Sequence, residues 1–321
     1  MTGECRARNS SEHSRDGRHV RSGQVGLAFT LNHVVQRAQR VKSSSNDPAM
    51  RAARQRNKPF GNVTRGTTNT NRLRRVDRWL AGPQAWRLRS EAAPLVVDLG
   101  YGGSPATAVE LYSRIHAVCP SAHVTGIEIE PERVRIAKPL EHEGLDFRVG
   151  GFEIPVPGQP TMVRAFNVLR QYDEADVKLI WATVCSRLSP HGIFVDGTCD
   201  EIGRRSTWVA LGVDGPQSFT ISLRFGAFEL PSDVAERLPK ALIHHNVPGE
   251  KIHTFLQALD KHWLAGATLA PFGNRQRWLR MCQGMHDDGW PVVRAPSRWR
   301  LGELTVAWTA VAADASIGNT V

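Results

Sequence analysis

The stretch PLVVDLGYGGSPATAVEL, residues 94–111, combines three local signals. An apolar, β-branched run ends at Asp98, a glycine-dense turn follows, and apolar side chains then recur with helical spacing. In open parallel sheets, ligands bind where strands of this kind end. The turn from Asp98 to Pro105 is therefore the first candidate for a binding site.

Strand and helix patterns alternate five times along the chain. The strands are expected at 94–100, 123–130, 145–150, 161–169 and 192–199. This alternation predicts an α/β fold with a doubly wound, mostly parallel sheet and helices on both faces. A helix is expected before the first strand, over about 71–87. After residue 200 we expect a hairpin around GVDGPQ, then helices and a final strand, at 212–217, 232–242, 250–264, 274–288 and 302–308.

Charge is unevenly distributed along the chain. Residues 1–90 contain 19 Lys and Arg against 5 Asp and Glu, whereas residues 91–321 contain 22 against 26. A basic segment can contact nucleic acid or an anionic surface. The Arg, Ser, Asn and Gln content of residues 1–60 favours a solvated, disordered basic tail. A natural start at Met50 is a further hypothesis.

The five cysteines show no paired spacing, and no His or Cys group has metal-ligand spacing. The sequence therefore predicts neither a disulfide framework nor a metal site, and a reducing, cytoplasmic setting is expected. No apolar run approaches the roughly 18–20 residues that cross a bilayer. We therefore expect no membrane contact, and the oligomeric state stays open.

The turn after the first strand lacks the features of phosphate-binding loops. Pro105 stands where G-x-G-x-x-G needs its third glycine, and no Gly-Lys-Ser/Thr ending is present. No lysine or arginine lies between residues 90 and 113. Gly100 and Gly102 let a ligand approach the backbone, and the Asp98 carboxylate suits a positive charge. The turn is typical of a site for a cationic ligand without phosphate.

These residues resemble the class I S-adenosylmethionine-dependent methyltransferases. VVDLGYGGSP is similar to their first motif, D/E-x-G-x-G, and VTGIEIEPERVRIAK is similar to their second, in which an acidic residue ends strand two. FRVGGFEIP and the block from AFNVL to LSPHG are similar to the later strands of the family. The resemblance covers about 94–200 and 272–310, and it implies a seven-stranded Rossmann-like methyltransferase sheet.

The resemblance also implies S-adenosylmethionine as the cofactor. Glu128 would accept hydrogen bonds from the ribose hydroxyls, and the adenine would lie beside Gly151, which replaces the usual aspartate. The cofactor-binding residues implied are Asp98, Gly100, Tyr101, Gly102, Glu128, Gly151, Phe152 and Asn167. The alternative is an NAD cofactor, whose ribose Glu128 would bind from the same position at the end of strand two.

Candidates for catalysis and substrate binding follow strands four and five or precede the first helix. Asn167, Asp200 and Glu201 are the candidates for catalysis. The alternatives are a cap of the strand-end turn for Asn167 and a solvated charged turn for Asp200 and Glu201. The loop at 61–70 is a candidate lid over the site. Substrate contacts are expected from Arg65, Thr67, Thr68, Asn69 and Arg170, with a capping loop and a solvated surface as the alternatives.

The sequence predicts one central domain with additions. The segments expected are a disordered basic tail at 1–60, a loop and helix at 61–93, a cofactor-binding core at 94–200, a hairpin-and-helix insertion at 201–271, closing elements of the core at 272–312, and a tail at 313–321. The insertion is a possible substrate cap.

The expected function is methyl transfer to a small molecule, because residues 91–321 are mildly acidic. Two alternatives stay open: an RNA methyltransferase that uses the basic segment, and a non-catalytic regulatory protein that binds the cofactor.

Overall fold

The computed structural model describes residues 59–63 and 69–313. The expected basic tail lies outside the described residues except for Pro59 and Phe60. The candidate substrate residues Arg65, Thr67 and Thr68 also lie outside them.

The described strands form one sheet. They are β1 Leu95–Leu99, β2 His123–Glu128, β3 Leu145–Val149, β4 Met162–Phe166, β5 Ile193–Cys199, β6 Arg205–Gly212, β7 Gly215–Leu223 and β8 Glu303–Ala307. Their order is β3-β2-β1-β4-β5-β6-β7-β8. The first five strands run parallel, and each later strand is antiparallel to the one before it. The α/β class and the mostly parallel sheet are confirmed.

The expectation of seven strands is wrong, because the sheet has eight. Strand β6 pairs with β5 along a continuous register from Phe194↔Leu211 to Cys199↔Ser206. The turn at Val213 and Asp214 then returns the chain as β7, which pairs with β8. The hairpin therefore extends the main sheet instead of standing apart from it.

Helices cover both faces of this sheet. They are α1 Arg74–Leu80, α2 Ala85–Arg89, α3 Ala106–His116, α4 Pro131–Ala137, α5 Glu174–Cys185, α6 Lys240–Ile243, α7 Lys251–Ala265, α8 Asn274–Asp287 and α9 Pro296–Trp299. Two helices expected from the sequence are each split in two. Pro83 separates α1 from α2, and Pro239 separates a 3₁₀ helix at Pro231–Arg237 from α6. Proline has no N–H for the helical hydrogen-bond ladder, which explains both breaks.

Two hydrophobic clusters form the core, one on each face of the sheet. Val96 belongs to the cluster that contains the α1 and α3 side chains, and its neighbour Val97 belongs to the cluster that contains α5, α7 and α8. This follows from the strand geometry, because successive side chains point to opposite faces. Burial of both faces explains why the first strands read as continuous apolar runs.

Three observations apply to the described part of the chain. None of its helices has both the length and the apolar character needed to span a bilayer. Its four cysteines are buried and free. It contains no group of three or more His, Cys, Asp or Glu side chains arranged to hold a metal ion.

One carboxylate lies in the middle of the sheet. Asp196, in β5, is buried, and its Oδ2 accepts a hydrogen bond of 3.0 Å from Nε1 of Trp181. Burial raises the pKa of Asp196 to about 7, and the hydrogen bond from Trp181 offsets only part of that effect. Because the folded-state pKa exceeds the ordinary value of 3.8, stability present at low pH is lost as the pH rises through about 7.

We predict that Asp196→Asn flattens this pH dependence. The amide keeps an oxygen for Trp181 but carries no charge to desolvate. Between pH 4 and pH 8, the free energy of unfolding of the variant should rise relative to wild type by on the order of 2–4 kcal/mol. Urea unfolding over a pH series measures it.

The control is Asp214→Asn, which changes an exposed carboxylate in the β6–β7 turn. It should keep the wild-type pH dependence. If Asp196→Asn also keeps it, the carboxylate of Asp196 is not desolvated in the folded protein.

Candidate functional site

The glycine turn after β1 adopts a backbone conformation that glycine favours. Gly100 and Gly102 have φ values of 70° and 84°, a region that costs other residues free energy. The amide of Gly100 donates to the carbonyl of Ile127 over 2.8 Å, which holds the turn against the end of β2. The bare backbone of the turn therefore has a fixed position at the carboxyl edge of the sheet.

Glu128 ends β2, and its carboxylate faces this turn. It is 1% exposed, and its Oε2 accepts a hydrogen bond of 2.8 Å from the amide of Gly102. Its Oε1 accepts from the amide of Ile129 over 3.1 Å and lies 3.4 Å from Nη1 of Arg133. These contacts orient a buried carboxylate at the point where the glycine turn begins.

Asp98 has a different environment from the one expected. Its side chain lies beneath the turn, and the residue is 2% exposed. Its Oδ1 accepts from Nε of Arg164 over 3.0 Å, and its Oδ2 lies 2.6 Å from Nη2 of Arg164 and 2.8 Å from Oγ1 of Thr107. The negative charge is therefore compensated within the protein by Arg164, and a contact of Asp98 with a cofactor stays a prediction.

Arg164 lies between two carboxylates. Its guanidinium also pairs with Asp77 of α1 and donates to the carbonyl of Thr107 in α3. Burial alone would lower the pKa of Arg164, but Asp77 and Asp98 outweigh it and raise that pKa. Burial raises the pKa of Asp77 to about 6 against the attraction of Arg164 and Arg114. We call Asp77, Asp98 and Arg164 the buried ion cluster.

Tyr101, the residue between the two glycines, also points into the fold. Its ring packs edge-on against Phe147, with centroids 5.5 Å apart, and against Gly126 of β2. Burial, followed by the charge of Glu128, raises the pKa of its hydroxyl. Tyr101 therefore anchors the turn from below.

A cavity lies at the carboxyl ends of β1, β2, β3 and β4. Glu128, Gly151, Phe152 and Val168 line it, together with residues of the segment 59–63, which we call the strap. The space left for a water-sized sphere is about 20 Å³, which is close to what a single water requires. A nucleoside can enter this first cavity only if some of its lining moves.

The strap closes the first cavity through backbone contacts. The carbonyl of Phe60 accepts a hydrogen bond of 3.0 Å from the amide of Phe152, and the amide of Phe60 donates to Oε2 of Glu153 over 3.0 Å. The amide of Asn62 donates to the hydroxyl of Tyr172. A Cβ at Gly151 would lie 2.0 Å from the Phe60 carbonyl oxygen, so only glycine admits this approach.

Two of the candidate catalytic residues hold backbone turns. Asn167 has a φ of 58°, and its Oδ1 accepts from the amide of Cys199 over 3.0 Å. The carboxylate of Asp200 accepts from the amides of Ile202, Arg204 and Arg205 over 3.3, 2.8 and 3.3 Å. These contacts join the ends of β4, β5 and β6, and they leave little of either side chain for a proton transfer.

The remaining candidates lie at the edge of the site. Glu201 is exposed, and its carbonyl accepts from Nδ2 of Asn69 over 2.8 Å. Arg170 donates from Nη1 to the carbonyl of Glu236 over 2.8 Å. Burial lowers the pKa of Arg170, and the neighbouring charge of Arg237 acts in the same direction. Asn69 and Arg170 thus fasten two loops beside β5.

Several residues that shape the site were not predicted from the sequence. Phe60, Arg133 and Arg164 were given no role, and neither was Tyr172, which is buried. An arginine in the middle of the apolar run TMVRAF was a usable signal, because charged residues are almost never fully buried unless paired. The strap overlaps the candidate lid at 61–70, of which residues 64–68 lie outside the described residues. No local signal predicts its contacts, since they join residues about a hundred positions apart.

The chain matches no family model and no curated protein. Solved structures match part of it at low sequence identity. Human N-acetylserotonin methyltransferase, in complex with S-adenosylmethionine, is 23% identical over 40% of this chain and 38% of its own, with a TM-score of 0.28. The sugar N-methyltransferase KedS8 of a Streptoalloteichus species is 13% identical over 58% and 70%, with a TM-score of 0.30.

A third match, LepI in complex with S-adenosylhomocysteine and a substrate analogue, is 17% identical over 42% of this chain and 34% of its own, with a TM-score of 0.33. The chain thus spans less than half the length of the human enzyme and of LepI. These identities and TM-scores leave function to be inferred from the residues of the site.

We predict that Arg164→Met strongly destabilises the fold. It leaves the carboxylates of Asp77 and Asp98 buried without their shared cation, and loss of one member of a buried ion group typically costs about 3–5 kcal/mol. Urea unfolding followed by circular dichroism measures the loss.

A triple variant isolates the charge. Adding Asp77→Asn and Asp98→Asn to Arg164→Met removes the uncompensated carboxylates and should recover a large part of the lost stability. Equal stability of the single and triple variants would mean that lost packing, not charge, causes the effect.

Proposed function

We propose that this protein is a class I S-adenosylmethionine-dependent methyltransferase that acts on a small molecule. The observation that carries the proposal is the pairing of Glu128 with the glycine turn. A buried, oriented carboxylate lies at the end of β2, directly beside bare backbone at the end of β1. Glu128 would bind the two ribose hydroxyls of the cofactor, and the glycine turn would bind its amino-acid portion.

The residues of the first cavity suit the parts of this cofactor. The two oxygens of Glu128 can accept hydrogen bonds from two ribose hydroxyls. Phe152 would offer an aromatic ring to an adenine, and its backbone amide as well once the strap releases it from the carbonyl of Phe60. The backbone at Gly100 and Gly102 would face the amino-acid portion. When bound, S-adenosylmethionine supplies a methyl group activated by its sulfonium.

The site lacks the usual means of binding a pyrophosphate. The helix N-terminus that would face a pyrophosphate belongs to α3, where the amide of Ala106 lies 3.4 Å from Oγ of Ser104. No Lys or Arg lies in the turn, and Pro105 occupies the position of the third glycine. Phosphate sites at helix N-termini rely on free amides and close glycines. A phosphate-free nucleoside cofactor therefore suits the turn better than NAD does.

The described residues favour catalysis by alignment. Asn167 and Asp200 are engaged with backbone amides, so neither is placed to accept a proton, whereas Glu201 stays a predicted base because its carboxylate is exposed. Holding two reactants in line can account for about 7–11 kcal/mol of a barrier. The role of this chain would be to bind both molecules, orient them and exclude water.

We predict that the protein binds S-adenosylmethionine and not NAD, and that Glu128→Gln weakens that binding. Glutamine keeps the shape of the side chain but loses the charge. Hydrogen bonds to charged groups contribute about 1.5–3 kcal/mol, so the dissociation constant should rise about 10–100-fold. Isothermal titration calorimetry with both cofactors measures it.

The control is Glu132→Gln, at an exposed carboxylate one turn further along in α4, which should bind as wild type does. Binding of NAD alone would contradict the proposal. Tight binding without methyl transfer to any metabolite would favour a regulatory protein. Methyl transfer only to RNA would favour the basic segment as the substrate contact.

The strap generates a separate prediction. Because the first cavity is closed, only molecules with an open strap can bind cofactor, and the apparent affinity is reduced by that fraction. Tyr172→Phe removes the hydroxyl that accepts the amide of Asn62. Such a hydrogen bond contributes about 0.5–1.5 kcal/mol, so we expect cofactor association to become about 2–10-fold faster, measured by stopped-flow fluorescence.

Tyr112→Phe serves as the matched control, because Tyr112 stacks on His116 on the surface of α3. Its association rate should equal that of wild type. Slower association in Tyr172→Phe would mean that the hydroxyl contacts the cofactor instead of restraining the strap.

A further inference from the structure

A second cavity opens at the same edge of the sheet. The turn after β5, the loop after β7 and the end of the 3₁₀ helix at Pro231–Arg237 line it. Its space for a water-sized sphere is about 410 Å³, against about 20 Å³ in the first cavity. Cavities of roughly 300–1,000 Å³ are typical of small-molecule sites, so this one can hold a ligand without rearrangement.

The two cavities flank the chain segment that follows β4. Val168 of this segment lines the first cavity. Two residues further on, Arg170 bonds to the carbonyl of Glu236, which lines the second cavity. Parallel strands present their ligands at their carboxyl ends, and both cavities meet that condition. A molecule in the second cavity would therefore lie beside a cofactor in the first.

Arg237 is the main cation of the second cavity. Its carbonyl accepts hydrogen bonds from the hydroxyls of Thr198 and Thr207, so its backbone is fixed above β5 and β6. Its guanidinium lies 3.5 Å from Glu236 and 3.8 Å from Glu201. Among the described residues, the buried Nε of Arg237 has no hydrogen-bond acceptor. A ligand anion would compete with Glu201 and Glu236 for this guanidinium, since both contacts are longer than an ordinary charged hydrogen bond.

A second guanidinium lies across the same cavity. Arg204 is exposed, and its side chain contacts no acid or carbonyl in the part of the chain that the structure describes. Arg205, by contrast, is engaged: its Nη1 lies 3.0 Å from Glu236, and its Nε donates to Ala227 over 2.8 Å. Arg205 is thus held by short contacts, whereas Arg237 has ion-pair contacts of 3.5 Å or more; Arg204 and Arg237 are therefore the better placed cations for a ligand.

Four acidic residues and three arginines line the second cavity, and two of the acids already have close partners. The carboxylate of Asp200 accepts from three backbone amides, and that of Glu236 pairs with Arg205 at 3.0 Å and with Arg237 at 3.5 Å. Glu201 and Glu229 are exposed at the rim, where water screens them. An anionic ligand group would gain charge-assisted hydrogen bonds from two guanidiniums.

We propose that the second cavity binds the methyl acceptor and that the acceptor carries an anionic group, a carboxylate or a phosphate, held by Arg237 and Arg204. That the ligand is a methyl acceptor rests on the proposed function. The binding of an anion in the second cavity does not depend on it. The anionic group fixes one end of the molecule, and its nucleophilic end faces the segment after β4 and the first cavity.

The test uses two simple anions as probes, malonate for the carboxylate and methyl phosphate for the phosphate. Each is titrated calorimetrically into the full-length protein at constant ionic strength, with and without S-adenosylhomocysteine. We expect at least one probe to bind, with a dissociation constant that rises at least about 10-fold in Arg237→Met and severalfold in Arg204→Met. Methionine keeps the apolar stem and removes the charge.

Arg89→Met is the matched control, because Arg89 is exposed at the end of α2, just before β1 begins and hence at the opposite edge of the sheet. It should bind the probes as wild type does. Tighter binding of malonate identifies a carboxylate, and tighter binding of methyl phosphate identifies a phosphate.

Two results overturn the proposal: neither probe binds wild type, or both arginine variants bind as wild type does. Arg204 is exposed, so its variant remains informative if Arg237→Met folds poorly. Binding of the probes without binding of S-adenosylhomocysteine would keep the anion site and refute the methyltransferase proposal. The reverse result would refute the anion site alone.

Discussion

The buried pairing of Arg164 with Asp98 and Asp77 is the constraint on which the site depends. It joins β4 to β1 and to α1, and through the carbonyl of Thr107 it reaches the first turn of α3. These elements surround the glycine turn from below. Charges removed from water stay only where partners satisfy them, so the cluster fixes the strands and helices relative to one another with directional contacts. The glycine turn after β1 is therefore held in place by the elements around it.

Two carboxylates at neighbouring strand ends therefore have different environments. The side chain of Asp98 lies on the same sheet face as Arg164 and forms an ion pair with it. Glu128 points to the cavity and is held by the backbone of the turn. The proposed selectivity for a phosphate-free ligand would not come from the charge of Asp98, which Arg164 compensates. It would come from the absence of cations and of a third glycine in the turn, together with the acceptor oxygens of Glu128.

Sequence patterns predicted the features that depend on interactions between residues close together in the chain. The five alternating units, the hairpin and the acidic residue at the end of β2 were all readable, because strand periodicity and turn chemistry act over a few residues. Pro83 and Pro239 could have predicted the two helix breaks, since proline ends a helix wherever it stands. The environment of Asp98 could not be read from its own neighbours. It depends on Arg164, 66 positions away, and on which of the two strand faces α1 covers.

The strap and the second cavity depend on tertiary contacts of the same kind, and together they suggest how the site works. Asn167 adopts a positive φ, and its side chain accepts a hydrogen bond from the amide of Cys199, so the segment after β4 turns sharply between the two cavities and is tied to the end of β5. A wall only a few residues thick would keep donor and acceptor apart at the strand ends yet close enough to react. Methyl transfer needs alignment of the reactants more than a strong base. A fixed segment between the two cavities and a strap that closes the first one would be sufficient for that alignment. The described hydrogen bonds of the strap are with Phe152 and Glu153 after β3 and with Gln171 and Tyr172 after β4, and none is with the turn that carries Arg204. Opening of the strap would therefore leave that turn in place.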